Sequence, residues 1–197
     1  MDESGTEPDE SRRIRSFFAI PFAAKTCNSI ADLQKEISEE LPGLQLTPRN
    51  NLHLTLHFFG NITEENLETA AEIVVSVGSL FIPFTLTLNE LGAFPSTTRP
   101  RIVWLGTECP RLMELQYALQ TRLQAARFPI EDRPFKPHIT IGRSKQQKRH
   151  ILSQRQNKVA INVQVDRLVL YESRQQPAGV EYRPRQTVRL AEPEKQR

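Results

Sequence analysis

Along this 197-residue chain the apolar positions switch between a spacing of two and a spacing of three to four, and each switch marks an element. RSFFAIPF (15–22) is a short aromatic and apolar run and predicts a strand. AAKTCNSIADLQKEISEEL follows with Ile30, Leu33, Ile37 and Leu41 at helical spacing and ends at Pro42-Gly43, a helix stop. NLHLTLHFFG (51–60) alternates, with Leu52, Leu54 and Leu56 on one side and His53, Thr55 and His57 on the other. TEENLETAAEIVVSV predicts a helix capped by Thr63, with two glutamates in its first turn and a stripe of Leu67, Ala70, Ala71 and Val74. FIPFTLTLNELGAF and RIVWLGT read as two strands that pair through PSTTRP. CPRLMELQYALQTRLQAAR is an amphipathic helix on Leu112, Leu115, Leu119 and Leu123, and PHITIGR is a strand. KQQKRHILSQRQN predicts a short basic helix or a loop. KVAINVQVDRLVLYESR and VEYRPRQTVRL close the chain as strands joined by a turn containing Pro177 and Gly179.

No GxGxxG follows the first strand, and the hairpins argue against a doubly wound parallel sheet, so the fold class is α+β with mostly antiparallel sheets. His53-Leu-Thr55 and His138-Ile-Thr140 lie 85 residues apart, each in a strand that follows a helix. The expected architecture is two similar lobes with helices outside and one such strand each at a central cleft. The expected organisation is a tail over residues 1–14, one bilobal domain over 15–190 and a tail over 191–197.

Charge sharpens this picture. Residues 1–132 hold 11 Lys and Arg against 18 Asp and Glu, a balance of −7, whereas residues 133–190 hold 13 against 3, a balance of +10. The basic excess therefore gathers around and after His138, which suits a phosphate-rich partner or a solvated basic surface. No stretch approaches the ~20 apolar residues that cross a bilayer. The acidic, polar start is unlike a secretory signal, and the expectation is a cytoplasmic protein. Cys27 and Cys109 form neither a metal-type spacing nor a disulfide framework and read as packing residues.

The polar faces of the two strands carry the candidate chemistry. On strict alternation His53, Thr55 and His57 share one face, and His138, Thr140 and Gly142 share the other strand's. If both strands border one cleft, two imidazoles and two hydroxyls converge. Imidazole titrates near neutrality, so one ring can accept a proton while the other donates one. Threonine hydroxyls can hold phosphate oxygens, and Arg143 adds a fork of donors. His57 has no counterpart in the second strand and is left out of the site; His150, in a basic run, reads as a surface residue. Phe135 and Pro137 read as shaping the strand entry and Trp104 as core. No HExxH, CxxC or GxSxG is present, so neither a zinc hydrolase nor a serine hydrolase is expected.

These residues resemble a known family. Paired H-x-[ST]-x motifs mark the 2H phosphoesterases, and HLTLHFFG with RPFKPHITIGR is similar to the bacterial and archaeal branch, the RNA 2′,3′-cyclic phosphodiesterases also described as 2′-5′ RNA ligases. RSFFAIPF, RPRIVWLG and LVLYESR before YRP extend the resemblance from about Arg15 to about Leu190. It implies a bilobal, pseudo-twofold α+β fold with a basic cleft between the lobes, and hydrolysis of 2′,3′-cyclic phosphate ends of RNA to 2′-phosphates without a metal. The expected partner is RNA with such an end, tRNA fragments among the candidates, and the expected state is a monomer without a cofactor. Carried over by position, His53 is the proton donor to the departing 3′ oxygen and His138 the proton acceptor that activates water. Thr55, Thr140 and Arg143 hold the phosphate. Ile141-Gly142 stands where Leu-Ala is more usual.

Three other readings stay open at this point. One site must also catalyse the reverse joining of cyclic-phosphate and 5′-hydroxyl ends into a 2′-5′ linkage. Small cyclic nucleotides or 2′-5′ oligonucleotides are alternative substrates, and a non-catalytic RNA-binding module is the alternative outside enzymes.

Overall fold

The structure, a computed structural model, describes residues 13–144, 159–177 and 179–192. The aromatic run becomes β1 (Ile14–Pro21), and the helical spacing that follows becomes α1 (Ala24–Glu40). Gly43, at φ 86°, supplies the left-handed turn after the helix, and a short β2 (Leu44–Leu46) and a 3₁₀ turn (Arg49–Asn51) lead into β3 (His53–Ile62). α2 (Glu64–Gly78) precedes β4 (Phe84–Leu88), β5 (Glu90–Ser96) and β6 (Arg99–Gly106); α3 (Pro110–Ala125) precedes β7 (His138–Ser144). β8 (Ile161–Val165), β9 (Arg167–Gln176) and β10 (Gly179–Arg189) complete the described chain.

Two four-stranded sheets result, ordered β10-β9-β1-β3 and β2-β7-β6-β5, with β4 and β8 forming a separate ribbon. Every strand pair is antiparallel. The α+β class and the antiparallel sheets are as the sequence predicts, and β5 and β6 pair as expected. The run FIPFTLTLNELGAF is two strands rather than one. It breaks at Asn89, whose N–H donates to the Gly106 carbonyl, so that β4 can pair with β8 while β5 pairs with β6. The run 158–174 likewise breaks at Asp166, which holds the Arg167 guanidinium through two bonds. The basic segment 145–157, with His150, lies outside the described residues.

The lobes are not consecutive halves of the chain. The first sheet combines strands from both ends of the sequence, and the helices cross over. α1 follows β1 but packs on β2 and β7 of the second sheet and on β8; α3 follows β6 but packs on α2 and β3. One contiguous core joins them, running from Phe18, Ile20 and Leu54 through Leu88 and Leu105 to Ile139 and Ile141. α2, by contrast, packs on β1, β9 and β10 of the sheet its preceding strand belongs to, so α1 and α3 are the helices that tie the two lobes into one core.

α2 is held at its start by the Thr63 side chain, which accepts from the Asn66 N–H at 3.2 Å. An ion network around one buried carboxylate adds to this: Glu172, 6% exposed, takes Arg174 and Arg185, and Arg185 also reaches Glu64 in the first turn of α2. Thr63→Ala should lower stability by about 1 kcal/mol in urea denaturation, the usual cost of a lost N-cap.

Candidate active site

Each His-x-Thr strand carries a bulge immediately after its threonine. On β3, Ala19 lies opposite Thr55 and Phe18 opposite His57, so Leu56 is the extra residue. On β7, Trp104 lies opposite Thr140 and Val103 opposite Gly142, so Ile141 is extra. One inserted residue reverses the sidedness of everything after it. Strict alternation therefore fails for His57 and Gly142. The His57 ring lies 4.7 Å from Phe59, which packs edge-on against Phe18 and Phe128, and a Cβ at Gly142 would come within 2.8 Å of buried Leu44. Phe58 and Arg143 take the cleft positions instead, which is why an arginine of odd parity joins His138 and Thr140.

The cleft has a volume of about 880 Å³ and is lined by His53, Thr55, His138, Thr140 and Arg143, the five residues predicted to form a site. Both histidines are oriented in the same way. His53 Nδ1 donates to the Asn51 carbonyl at 2.8 Å, and His138 Nδ1 donates to the Lys136 carbonyl at 2.8 Å. A carbonyl only accepts, so the proton sits on Nδ1 and each neutral ring keeps its lone pair at Nε2. His53 Nε2 lies 3.1 Å from the Thr55 hydroxyl.

The residues two places before the histidines are themselves tied down. Asn51 Nδ2 donates to the Val180 carbonyl at the start of β10, bringing that hairpin to the cleft rim. Lys136 Nζ reaches the Glu90 carboxylate at 3.3 Å and lies 4.1 Å from the centre of the Trp104 ring. Aromatic rings flank each imidazole: Phe17 and Tyr182 at 4.9 and 5.0 Å from His53, Phe94 and Trp104 at 5.5 and 6.3 Å from His138. Trp104 is buried, as expected, but it lies on the cleft-side face of its sheet. The indole crosses Gly92, where a Cβ would stand 2.1 Å from the ring, so only glycine admits it.

Electrostatics distinguish the arginines of the cleft from those elsewhere. Arg167, Arg174 and Arg185 are ion-paired, whereas Arg15 and Arg143 at the cleft have no carboxylate partner among the described residues. Arg15 lies over the Phe58 ring at 4.5 Å. Burial pushes the Tyr182 phenol up, against the pull of Arg143 and Arg15, so it remains a neutral donor. Burial also lowers His53 to about 4; the Asn51 carbonyl opposes this and the charge of His138 adds to it. His57 is lowered by burial too, against the Glu131 charge, and its Nε2 has no partner among the described residues. No group of three or more His, Cys, Asp or Glu suited to a metal occurs among the described residues.

Sequence reasoning missed Arg15, Phe17, Phe58, Tyr182 and the backbone carbonyls of Asn51 and Lys136. Arg15 and Phe17 share a face of β1 by simple alternation and were within reach; Tyr182, on a strand that joins β3's sheet only through β9 and β1, was not.

Two lobes that each bring a bulged His-x-Thr strand to one cleft, imidazole Nε2 inward, define a 2H phosphoesterase. The family within that class follows from the whole chain. Residues 22–177 match the family model of the 2′-5′ RNA ligase superfamily, and the chain belongs to that family. The curated RNA 2′,3′-cyclic phosphodiesterase of Thermotoga maritima is 32% identical over 173 residues, spanning 86% of this chain and 92% of its own. That of Methanothermobacter thermautotrophicus is 27% identical, spanning 90% of this chain and 100% of its own. Among solved structures, TT0787 of Thermus thermophilus superposes with a TM-score of 0.79 at 26% identity, and E. coli LigT complexed with 3′-AMP with a TM-score of 0.76 at 26% identity; each covers 91% of this chain and 99% of its own.

Proposed function

We propose that the protein hydrolyses 2′,3′-cyclic phosphate ends of RNA to 2′-phosphates, with the two histidines as its proton donor and acceptor. The observation that carries this is the matched setting of the rings: each Nδ1 is occupied by a carbonyl two residues back, which leaves each Nε2 as the nitrogen available to a substrate in the cleft. The curated relatives, named for this activity and 27–32% identical over most of the chain, support it.

In this reading Thr55, Thr140 and Arg143 hold the non-bridging oxygens of the cyclic phosphate. His138 Nε2 takes a proton from water as the water oxygen bonds to phosphorus. The bond from phosphorus to O3′ breaks, and His53 Nε2–H gives its proton to O3′, leaving a 2′-phosphate and a 3′-hydroxyl. His53 is unprotonated in the empty cleft at neutral pH, because burial favours its neutral form. The phosphate anion restores the missing charge beside the ring, so substrate and proton are taken up together. With a 5′-hydroxyl in place of water as the attacking group, the same two transfers in the same direction form a 2′-5′ linkage. Both transfers use imidazole alone, and the reading calls on no metal.

The test is a short RNA ending in a 2′,3′-cyclic phosphate, incubated with the protein in excess EDTA and mapped at its product end. Conversion to a 2′-phosphate is expected. A 3′-phosphate product would reverse the assigned leaving oxygen, and no conversion by folded protein would overturn the activity.

A further inference from the structure

Gln34 stands on the buried face of α1 between Ile30 and Ile37, only 4% exposed, where the apolar stripe of that helix calls for leucine. Its amide spans two parts of the cleft wall. Nε2 donates to the Ile141 carbonyl at 2.6 Å and to the Thr47 carbonyl at 2.9 Å. Both partners are acceptors, so they fix which end of the amide faces them. The Thr47 N–H also donates to the Ile141 carbonyl, at 3.0 Å.

Ile141 is the extra residue of the β7 bulge, and Thr47 belongs to the cleft-lining segment beside Gln45, which pairs with Arg143. We propose that Gln34 is a positioning residue for the phosphate cleft, its amide locking the Ile141 bulge that turns Arg143 into the cleft. This rests on the phosphate-handling reading of that cleft and adds how its cation is aimed. The hydrogen bonds of a sheet do not by themselves choose where an extra residue sits. Without this bulge, strict alternation would put Gly142 on the cleft side and Arg143 on the core side. An amide reaching from a helix to the carbonyl of the extra residue selects one register. The glycine at 142, which alone fits against Leu44, selects the same one from the core side. A buried glutamine is costly unless both its donors are used, and here both go to the backbone of the site rather than to helix or core.

The experiment measures inorganic phosphate binding by calorimetry, together with KM and kcat on a dinucleotide 2′,3′-cyclic phosphate, for wild type, Q34L, R143A and the double variant. Q34L is expected to weaken phosphate binding and raise KM by about ten-fold, with kcat changed far less. In the R143A background Q34L is expected to add less than about two-fold, because residues acting through one another are not additive. Equal phosphate binding by wild type and folded Q34L, or a full Q34L effect persisting beside R143A, would overturn the role of Gln34. Should Q34L not fold cooperatively, Q34M carries the same comparison with a more adaptable side chain. Failure of wild type to bind phosphate or turn over the dinucleotide would remove the phosphate reading itself, a result distinct from normal wild type with an unaffected Q34L.

Discussion

His53→Ala or His138→Ala lowers the rate of cyclic-phosphate hydrolysis by about 10²–10⁴, the usual contribution of one positioned proton-transfer group, while leaving inorganic phosphate binding measurable. The expectation follows from the division of labour in the cleft. In the proposed mechanism Thr140 and Arg143, which line the same cleft, hold the anion together with Thr55, so a histidine variant is expected to lose chemistry more than affinity. The two losses do not add. Once either transfer must be made by water, the other no longer occurs in concert with it, so the double variant falls little below the worse single one. Single-turnover rates in excess EDTA, with circular dichroism as the check on folding, measure this. Either variant turning over like wild type would remove that histidine from its role.

The second large effect is on stability against pH. His53 titrates at about 4 in the folded cleft and near the ordinary imidazole value of about 6.5 when unfolded. A base whose folded pKa is depressed leaves stability complete above the unfolded value. As pH falls below about 6.5 the unfolded chain takes up a proton that the folded one refuses, and stability drains away until about pH 4, where both forms are protonated. The difference corresponds to a loss of up to about 3 kcal/mol. His57, also lowered by burial, adds a loss of the same sign. Urea denaturation at pH 7, 5 and 4 should show a shallower acid decline in His53→Gln than in wild type. Saturating phosphate should also flatten the wild-type decline, since an anion beside the ring raises its pKa. Parallel declines in wild type and variant would show that His53 is not held neutral by its surroundings.

Much of this protein was legible without coordinates because local physics repeats itself. Ile30 and Ile37 on α1, the Thr63 cap of α2 and the leucine stripe of α3 obey helical spacing, and each element formed where that spacing placed it. The pairing of imidazole with hydroxyl on alternate strand positions was likewise a local pattern, and His53, Thr55, His138, Thr140 and Arg143 all border one cleft. Where the alternation was extended two residues further it misled. A bulge changes the count by one, and nothing in the alternation of TLHF or TIGR marks the insertion.

The sequence by itself therefore determined the helices, most of the strands, the two His-x-Thr motifs and the residue types available for phosphate chemistry, since these depend on spacing and side-chain character within a few residues. It left β2 and the breaks at Asn89 and Asp166 unmarked. The tertiary structure alone decided which side of its strand each later residue takes. It turned His57 into the aromatic core and Phe58 and Arg143 into the cleft, and it brought Gln34 on α1 to a carbonyl 107 residues away. It also buried the His53 ring, which favours its neutral form. The reason is physical: sidedness after a bulge, burial and long-range hydrogen bonds are set by which strands and helices meet, and that choice is made by packing the whole chain around one core.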